Sequence, residues 1–164
     1  MEILDGKKLS NEIIEELKVR CDELKEKGIK PKFAVIMVGN DKASQIYVKN
    51  KRKACERIGI ECVECFLDEN IQQKELIDKI KELNSDNTIH GILLQSPIPK
   101  HLNINEAFET ISPKKDVDGF NPTNVGKLCL NQNTFVSCTP FGIIKLLDKY
   151  GIDLAGKKVT IIGR

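Results

Sequence analysis

Tyr47 and Lys51 stand four residues apart, the spacing at which two side chains share one face of a helix. Helical side chains lean toward the helix N-terminus, which here follows an apolar run ending in Val38-Gly39. A phenol beside an ammonium group suits a flat heteroaromatic ligand, because the ring stacks while the amine moves a proton. The same pair also reads as part of a solvated basic face with Lys49, Arg52 and Lys53. Gln95 interrupts the mouth of a second apolar run, with Pro97 just beyond. An amide placed there needs hydrogen-bond partners, supplied either by the protein or by a ligand. Asp116 and Asp118 flank an Asp-Gly turn in Lys115-Asp116-Val117-Asp118-Gly119-Phe120. They read as turn formers or as acceptors for a ligand's N–H groups. Calcium would want more oxygen ligands than this stretch offers.

Six cysteines lie at 21, 55, 62, 65, 129 and 138. Cys62 and Cys65 form a Cys-x-x-Cys pair, but inside a strand two residues three apart face opposite sides of the sheet. No second Cys-x-x-Cys or His pair completes a zinc site. Reduced thiols and no metal are therefore expected.

These residues must be positioned by the elements around them. Leu9, Ile13, Leu17, Cys21 and Leu24 recur at helical steps, and Gly28 gives a stop. Phe33–Val38 is continuously apolar, as a strand buried on both faces reads. A helix from near Ser44 to Ile58 closes at Gly59. The pattern then repeats, with strands at 60–66 and 89–94 and a helix at 71–83 between them. This alternation predicts an α/β fold: a three-layer parallel sheet flanked by helices on both faces. A short helix follows near 105–111, then a long polar segment, 112–137, with little regular pattern. Segments of that kind are more often functional than idle. Thr139 and Pro140 predict the N-cap and first position of a helix through about Lys149. Lys157–Arg164 reads as a further parallel strand reaching its glycine turn. In such sheets ligands bind beyond the carboxyl ends of the strands, where 39–51, 95–99 and 112–126 converge.

Composition narrows the classes. The chain has 164 residues, with 26 basic and 24 acidic side chains and 40% hydrophobic residues. That size can bury a real core without disulfides, and the near-balanced charge with 5% aromatics disfavours a nucleic-acid module. No apolar run approaches the ~20 residues that span a bilayer, and the first residues lack a secretory pattern. A cytoplasmic protein with neither membrane nor nucleic-acid partners is expected.

Several motifs in order resemble one family, the bifunctional methylenetetrahydrofolate dehydrogenase/methenyltetrahydrofolate cyclohydrolase (FolD-type) enzymes. Ile3-Leu4-Asp5-Gly6-Lys7 is similar to the family's opening. Val38-Gly39 and Ser44-x-x-Tyr47-x-x-x-Lys51 resemble its next segment, and Gly91–Pro99 its Gly-Ile-Leu-Val-Gln-Leu-Pro-Leu-Pro run. Pro113–Phe120 resembles Pro-x-Lys-Asp-Val-Asp-Gly-Phe, and Thr139-Pro140-x-Gly142 and Gly156–Arg164 resemble later landmarks. Ser96 departs, standing where the family usually has Leu. The family's Gly-Arg-Ser-x-x-Val-Gly-x-Pro turn, which holds the phosphates of NADP, is represented only by Gly163 and Arg164.

The resemblance implies one-carbon folate metabolism. The family oxidises 5,10-methylenetetrahydrofolate with NADP, then hydrolyses the methenyl cation to 10-formyltetrahydrofolate. It implies Lys51 as the proton-transfer residue and Gln95 as the group holding it in register. Tyr47 would stack on the folate, Ser44 and Pro97 would line its site, and Asp118 would accept hydrogen bonds from the pterin. Gly163 and Arg164 would begin the NADP site. Residues 1–137 would form the folate-binding catalytic domain, 138–155 a linking helix and 156–164 the start of a Rossmann-like domain. The full-length family is expected to be a homodimer, and this chain to correspond to its N-terminal portion. The runner-up is a truncated, catalytically impaired folate-binding fragment.

Overall fold

The computed structural model describes residues 3–162. Helix α1 (Gly6–Glu26) starts where the Asp5 carboxylate accepts the Lys8 N–H at 2.9 Å, filling one of the donors a helix start leaves free. Strand β1 (Lys32–Val38) is the predicted apolar run, and its last five residues are buried. Helix α2 (Lys42–Ile58) starts at Asp41, whose carboxylate accepts the Ser44 N–H at 2.7 Å. It ends at Gly59, which takes a φ of 86°, a left-handed geometry that glycine adopts without strain. Strand β2 (Glu61–Leu67), helix α3 (Gln73–Ser85), strand β3 (Gly91–Leu94) and helix α4 (Ile104–Thr110) follow.

The sheet has the order β2-β1-β3 and every pairing is parallel. One face packs Ala34, Ile36, Ile92 and Leu94 against Leu76 and Ile80 of α3 and Ala107 of α4. The other packs Val35, Met37 and Leu93 against Val48 of α2, and α1 lies on α2. Helices on both faces of a parallel sheet are what the alternation predicted. Cys65 joins the first face and Cys62 the second, so the two thiols point apart. Burial, with Cys62 alongside, pushes the Cys55 thiol up to about 12.

Three sequence expectations change. The segment 112–137 is not irregular throughout: Pro122–Cys129 forms helix α5, with the Asn121 side chain accepting the Thr123 N–H at 2.8 Å. Asn-Pro is the start signal, hidden among turn-forming neighbours. The last helix, α6 (Cys138–Lys149), begins at Ser137 rather than Thr139. Pro140 then sits in the first turn, whose N–H groups have no intrahelical acceptor, so its missing donor costs nothing there. Residues 157–162 are not a strand. A strand exists by pairing, and no described segment lies beside them; Ile161 and Ile162 are 87% and 97% exposed. No described helix is long and apolar enough to cross a membrane.

Candidate active site

Parallel strands deliver their carboxyl ends to one edge, and α2 starts at that edge. Ser44, Tyr47 and Lys51 therefore lie along the first three turns of α2. Lys51 Nζ donates to Gln95 Oε1 at 2.7 Å. The Gln95 amide nitrogen in turn donates to the Ser96 carbonyl at 2.7 Å. Buried Ser44 reaches the same carbonyl with its hydroxyl, at 3.5 Å. Residues 44 and 51 are two turns apart, so α2 is tied to the mouth of β3 at two levels. Both partners of the Gln95 amide thus come from the protein. A neutral amide oxygen accepts from both an ammonium and an amine, more strongly from the ammonium, so Gln95 can orient Lys51 in either state.

The Tyr47 ring lies 6.0 Å from Lys51 Nζ and is 60% exposed. Its broad face is open to a planar ligand. Lys49 and Arg52 point elsewhere. They line a groove of about 690 Å³ on the other flank of α2 with Phe66 and Glu64, and Arg52 lies 3.7 Å from the Glu64 carboxylate. The charged group that shares a field with Lys51 is a carboxylate, Asp118.

Asp116 and Asp118 divide the two roles open to them. Residue 116 forms a parallel bridge to Ile92, with the Ile92 N–H donating to the Lys115 carbonyl at 2.7 Å. The loop thus runs beside β3 as a short extra rung. Asp116 is buried and wholly committed: it accepts from the N–H groups of Gly119 at 3.1 Å and Asn121 at 2.8 Å, and from the Asn124 amide at 2.8 Å. Gly91 permits the approach, since a Cβ there would lie 2.6 Å from Val117. Gly119 turns the chain back with a φ of 70°. Two residues past the bridge, Asp118 is half-buried, and burial pushes its carboxyl above the usual carboxylate range while Lys51 pulls it down. Asp116 builds the turn, and Asp118 lies near enough to Lys51 for its charge to act on the carboxyl.

Pro97 follows a cis peptide bond to Ser96 and lines a neighbouring cavity of about 350 Å³ with Gly39, Asp41 and His101. Lys51, Gln95, Tyr47, Ser44 and Asp118 are thus brought to one edge, and Pro97 borders it. Gly163 and Arg164 lie outside the described residues. Sequence reading passed over Cys138, whose sulfur lies 3.9 Å from the Val117 carbonyl oxygen, next in chain to Asp118; no spacing rule links positions so far apart across a loop. Among the described residues, no group of three or more His, Cys, Asp and Glu is placed to hold a metal ion.

A parallel α/β domain with a lysine, an amide, a phenol and a carboxylate at its strand ends has the layout of a small-molecule catalytic domain. Residues 4–118 match the family described as tetrahydrofolate dehydrogenase/cyclohydrolase, catalytic domain, and the chain belongs to that family. It is 51% identical over 164 residues to the bifunctional protein FolD of Campylobacter concisus, covering all of this chain and 58% of that protein. The crystal structure of the FolD methylenetetrahydrofolate dehydrogenase/cyclohydrolase from Campylobacter jejuni superposes with a TM-score of 0.93 at 52% identity, covering 94% of this chain and 55% of that one. The Trypanosoma brucei methylenetetrahydrofolate dehydrogenase-cyclohydrolase, solved with NADP and an inhibitor, gives 0.91 at 33% identity, over 95% of this chain and 54% of that one. This chain therefore spans a little over half the length of these relatives.

Proposed function

We propose that this chain supplies the folate-binding and proton-transferring half of an enzyme of one-carbon metabolism. That enzyme oxidises 5,10-methylenetetrahydrofolate with NADP and hydrolyses the methenyl product to 10-formyltetrahydrofolate. The observation carrying this reading is the 2.7 Å bond from Lys51 to Gln95 beside Tyr47 and Asp118. Hydrolysis of the methenyl cation needs a base for the attacking water and an acid for collapse of the tetrahedral intermediate. An amine can serve in turn as both. In this reading Tyr47 stacks on the folate, and Asp118 accepts hydrogen bonds from the pterin. Ser44 holds α2 in register, and Pro97 shapes the border of the site. The substrate carries its own positive charge, so the hydrolytic step asks for no metal.

NADP would supply the hydride acceptor. The described residues near its expected site, 156–162, form no strand, glycine turn and helix able to cradle its phosphates. Gly163 and Arg164 are assigned to that cofactor by family resemblance. The division into a folate domain at 1–137, a linking helix at 138–155 and the start of a dinucleotide domain at 156–164 belongs to the same proposal. So do a cytoplasmic location and homodimerisation of the full-length enzyme.

The 58% coverage of the Campylobacter concisus relative favours one second reading, a folate-binding fragment with impaired catalysis. Calorimetry with a tetrahydrofolate analogue, paired with a methenyl-hydrolysis assay on the 164-residue chain, separates the two. Binding with turnover supports the catalytic reading. Binding without turnover supports the fragment, and no binding overturns both.

A further inference from the structure

The side chain of Lys115 is spent on backbone. Its Nζ donates to the carbonyls of Leu83, Asn84 and Asp86 at 3.0, 2.7 and 2.7 Å. An ammonium has three N–H donors and no acceptor, so three carbonyls use it fully. Leu83 and Asn84 lie in the last turn of α3 and Asp86 just past it, where helix carbonyls lack an intrahelical partner and the helix dipole favours a cation. The main chain of the same residue has a different partner. The Lys115 carbonyl accepts the Ile92 N–H of β3 at 2.7 Å, beside the bridge between Ile92 and Asp116. Lys115 therefore clamps its loop to two elements at once, α3 through the side chain and β3 through the backbone. We propose that Lys115 is a positioning residue for Asp118, fixing where the turn that carries Asp118 sits along β3. This rests on the folate reading only in making Asp118 the group that meets the pterin.

The rung on β3 needs such a clamp. It is a bridge of a single residue pair, and its return bond, from the Val117 N–H to the Ile92 carbonyl, is long at 3.4 Å. A slip of one residue there would turn every side chain of the loop to the opposite side. The Lys115 side chain opposes that slip, because its acceptors sit at the end of a helix packed on the sheet through Leu76, Ile77, Ile80 and Leu83. From Lys115 to Asp118 the chain has no slack. The Asp116 carboxylate accepts the N–H groups of Gly119 at 3.1 Å and Asn121 at 2.8 Å, which closes residues 116–119 into a turn with Asp118 as its third residue. Bridge and turn thus move as one piece. Gln95, which holds Lys51 at 2.7 Å, follows the end of the same strand, β3. Both Asp118 and Lys51 are therefore referenced to β3, and the register that Lys115 fixes sets one against the other.

The test uses the whole chain. Lys115→Met keeps the stem and removes all three donors. The first readout is amide exchange of the ligand-free protein. In Lys115→Met the amides of Ile92, Gly119 and Asn121 should exchange faster relative to those of Ala34–Ile36 in β1, by about tenfold or more. Unchanged protection overturns the proposal, and so does a loss shared equally by β1, which would make Lys115 a stabiliser of the whole fold. Lys115→Gln, which keeps a donor on a shorter stem, is read in the same way if Lys115→Met does not fold. The second readout is calorimetric affinity for 5-formyltetrahydrofolate. Lys115→Met should weaken it about tenfold with Asp118 in place and change it little in an Asp118→Asn background, because two residues acting through one contact are not additive. Equal losses in the two backgrounds overturn the positioning role. A parent chain that does not bind this ligand counts against the folate reading instead, and the exchange result still decides the clamp.

Discussion

At the residue scale the central test is Lys51. Lys51→Met keeps the stem and removes the titrating group, so hydrolysis of the methenyl substrate should fall by on the order of 10²-fold or more. Lys51→Arg should not restore it, since a guanidinium stays protonated at neutral pH. Hydride transfer depends more on orientation and should suffer less in the full-length enzyme. Near-parent hydrolysis by Lys51→Met would reduce Lys51 to part of a charged face. Asp118 makes a pH prediction. Its folded carboxyl titrates above the usual range because of burial, so the folded state holds that proton more readily than the unfolded chain. The burial of its charge opposes folding above the raised value, and this opposition is relieved as pH falls through it. In the proposed reading ligand binding runs the other way, because an ionised carboxylate accepts from pterin N–H groups more strongly than a protonated one. Affinity for a tetrahydrofolate analogue should therefore drop as pH falls through that raised value, and Asp118→Asn should bind weakly with a flat profile. A parent affinity that does not change as pH is lowered through the whole carboxylate range would remove Asp118 from the site.

At the element scale the decisive piece is the turn at 112–124, which the sequence presents as a polar loop. Its polar groups are used internally. Lys115 Nζ donates to the carbonyls of Leu83, Asn84 and Asp86 at 3.0, 2.7 and 2.7 Å, closing the C-terminal end of α3. Asn121 donates to the carbonyls of Phe108, Glu109 and Ile111 at the C-terminal end of α4. Asp116 gathers three donors of the same turn. Asp116→Ala would leave those buried donors without a partner, at a cost of about 1–3 kcal/mol for each one left unsatisfied. We expect the urea midpoint to fall clearly, whereas Asp118→Asn should move it little. Equal midpoints for parent and Asp116→Ala would contradict the structural role given to that carboxylate.

At the scale of the whole molecule, order is uneven. Strand β1 is buried along five consecutive residues, while α6 has none buried. Helix α6 is held to α1 by the Lys149–Glu12 ion pair at 2.6 Å and by the Tyr150 hydroxyl, which accepts the Asp5 N–H at 2.9 Å. Local stability follows buried contact, so amides of α6 should exchange with solvent well before those of β1. Matching protection in the two would show α6 to be packed more firmly than this. Phe141, Ile143 and Ile144 on α6 and Ile161 and Ile162 beyond it are exposed, and large apolar side chains left open to water in this number take up dyes. The 164-residue chain should bind an apolar-surface dye, and Ile143→Lys should lower the signal; a chain dark to the dye would refute it. For the cofactor, the same chain should show no measurable NADP reduction, because residues 156–162 form no phosphate cradle. Robust reduction by the pure chain would overturn that expectation.

The sequence by itself determined the alternation of strands and helices. Buried parallel strands must be apolar throughout, and Phe33–Val38 and Gly91–Leu94 are. It also placed Tyr47 with Lys51, because helical spacing is a local property, and it separated Cys62 from Cys65 for the same reason in a strand. The family motifs marked Gln95 and Asp118 without saying what they touch. Only the tertiary structure decided that Gln95 accepts from Lys51, 44 residues away. It alone divided Asp116 from Asp118, giving one to the turn and leaving the other at the candidate site, and brought the Cys138 sulfur to the Val117 carbonyl of the same loop. It also withheld the strand expected at 157–162. The reason is shared by all four: a side-chain contact across the fold, or a strand's pairing, belongs to two segments at once. Local pattern describes only one of them.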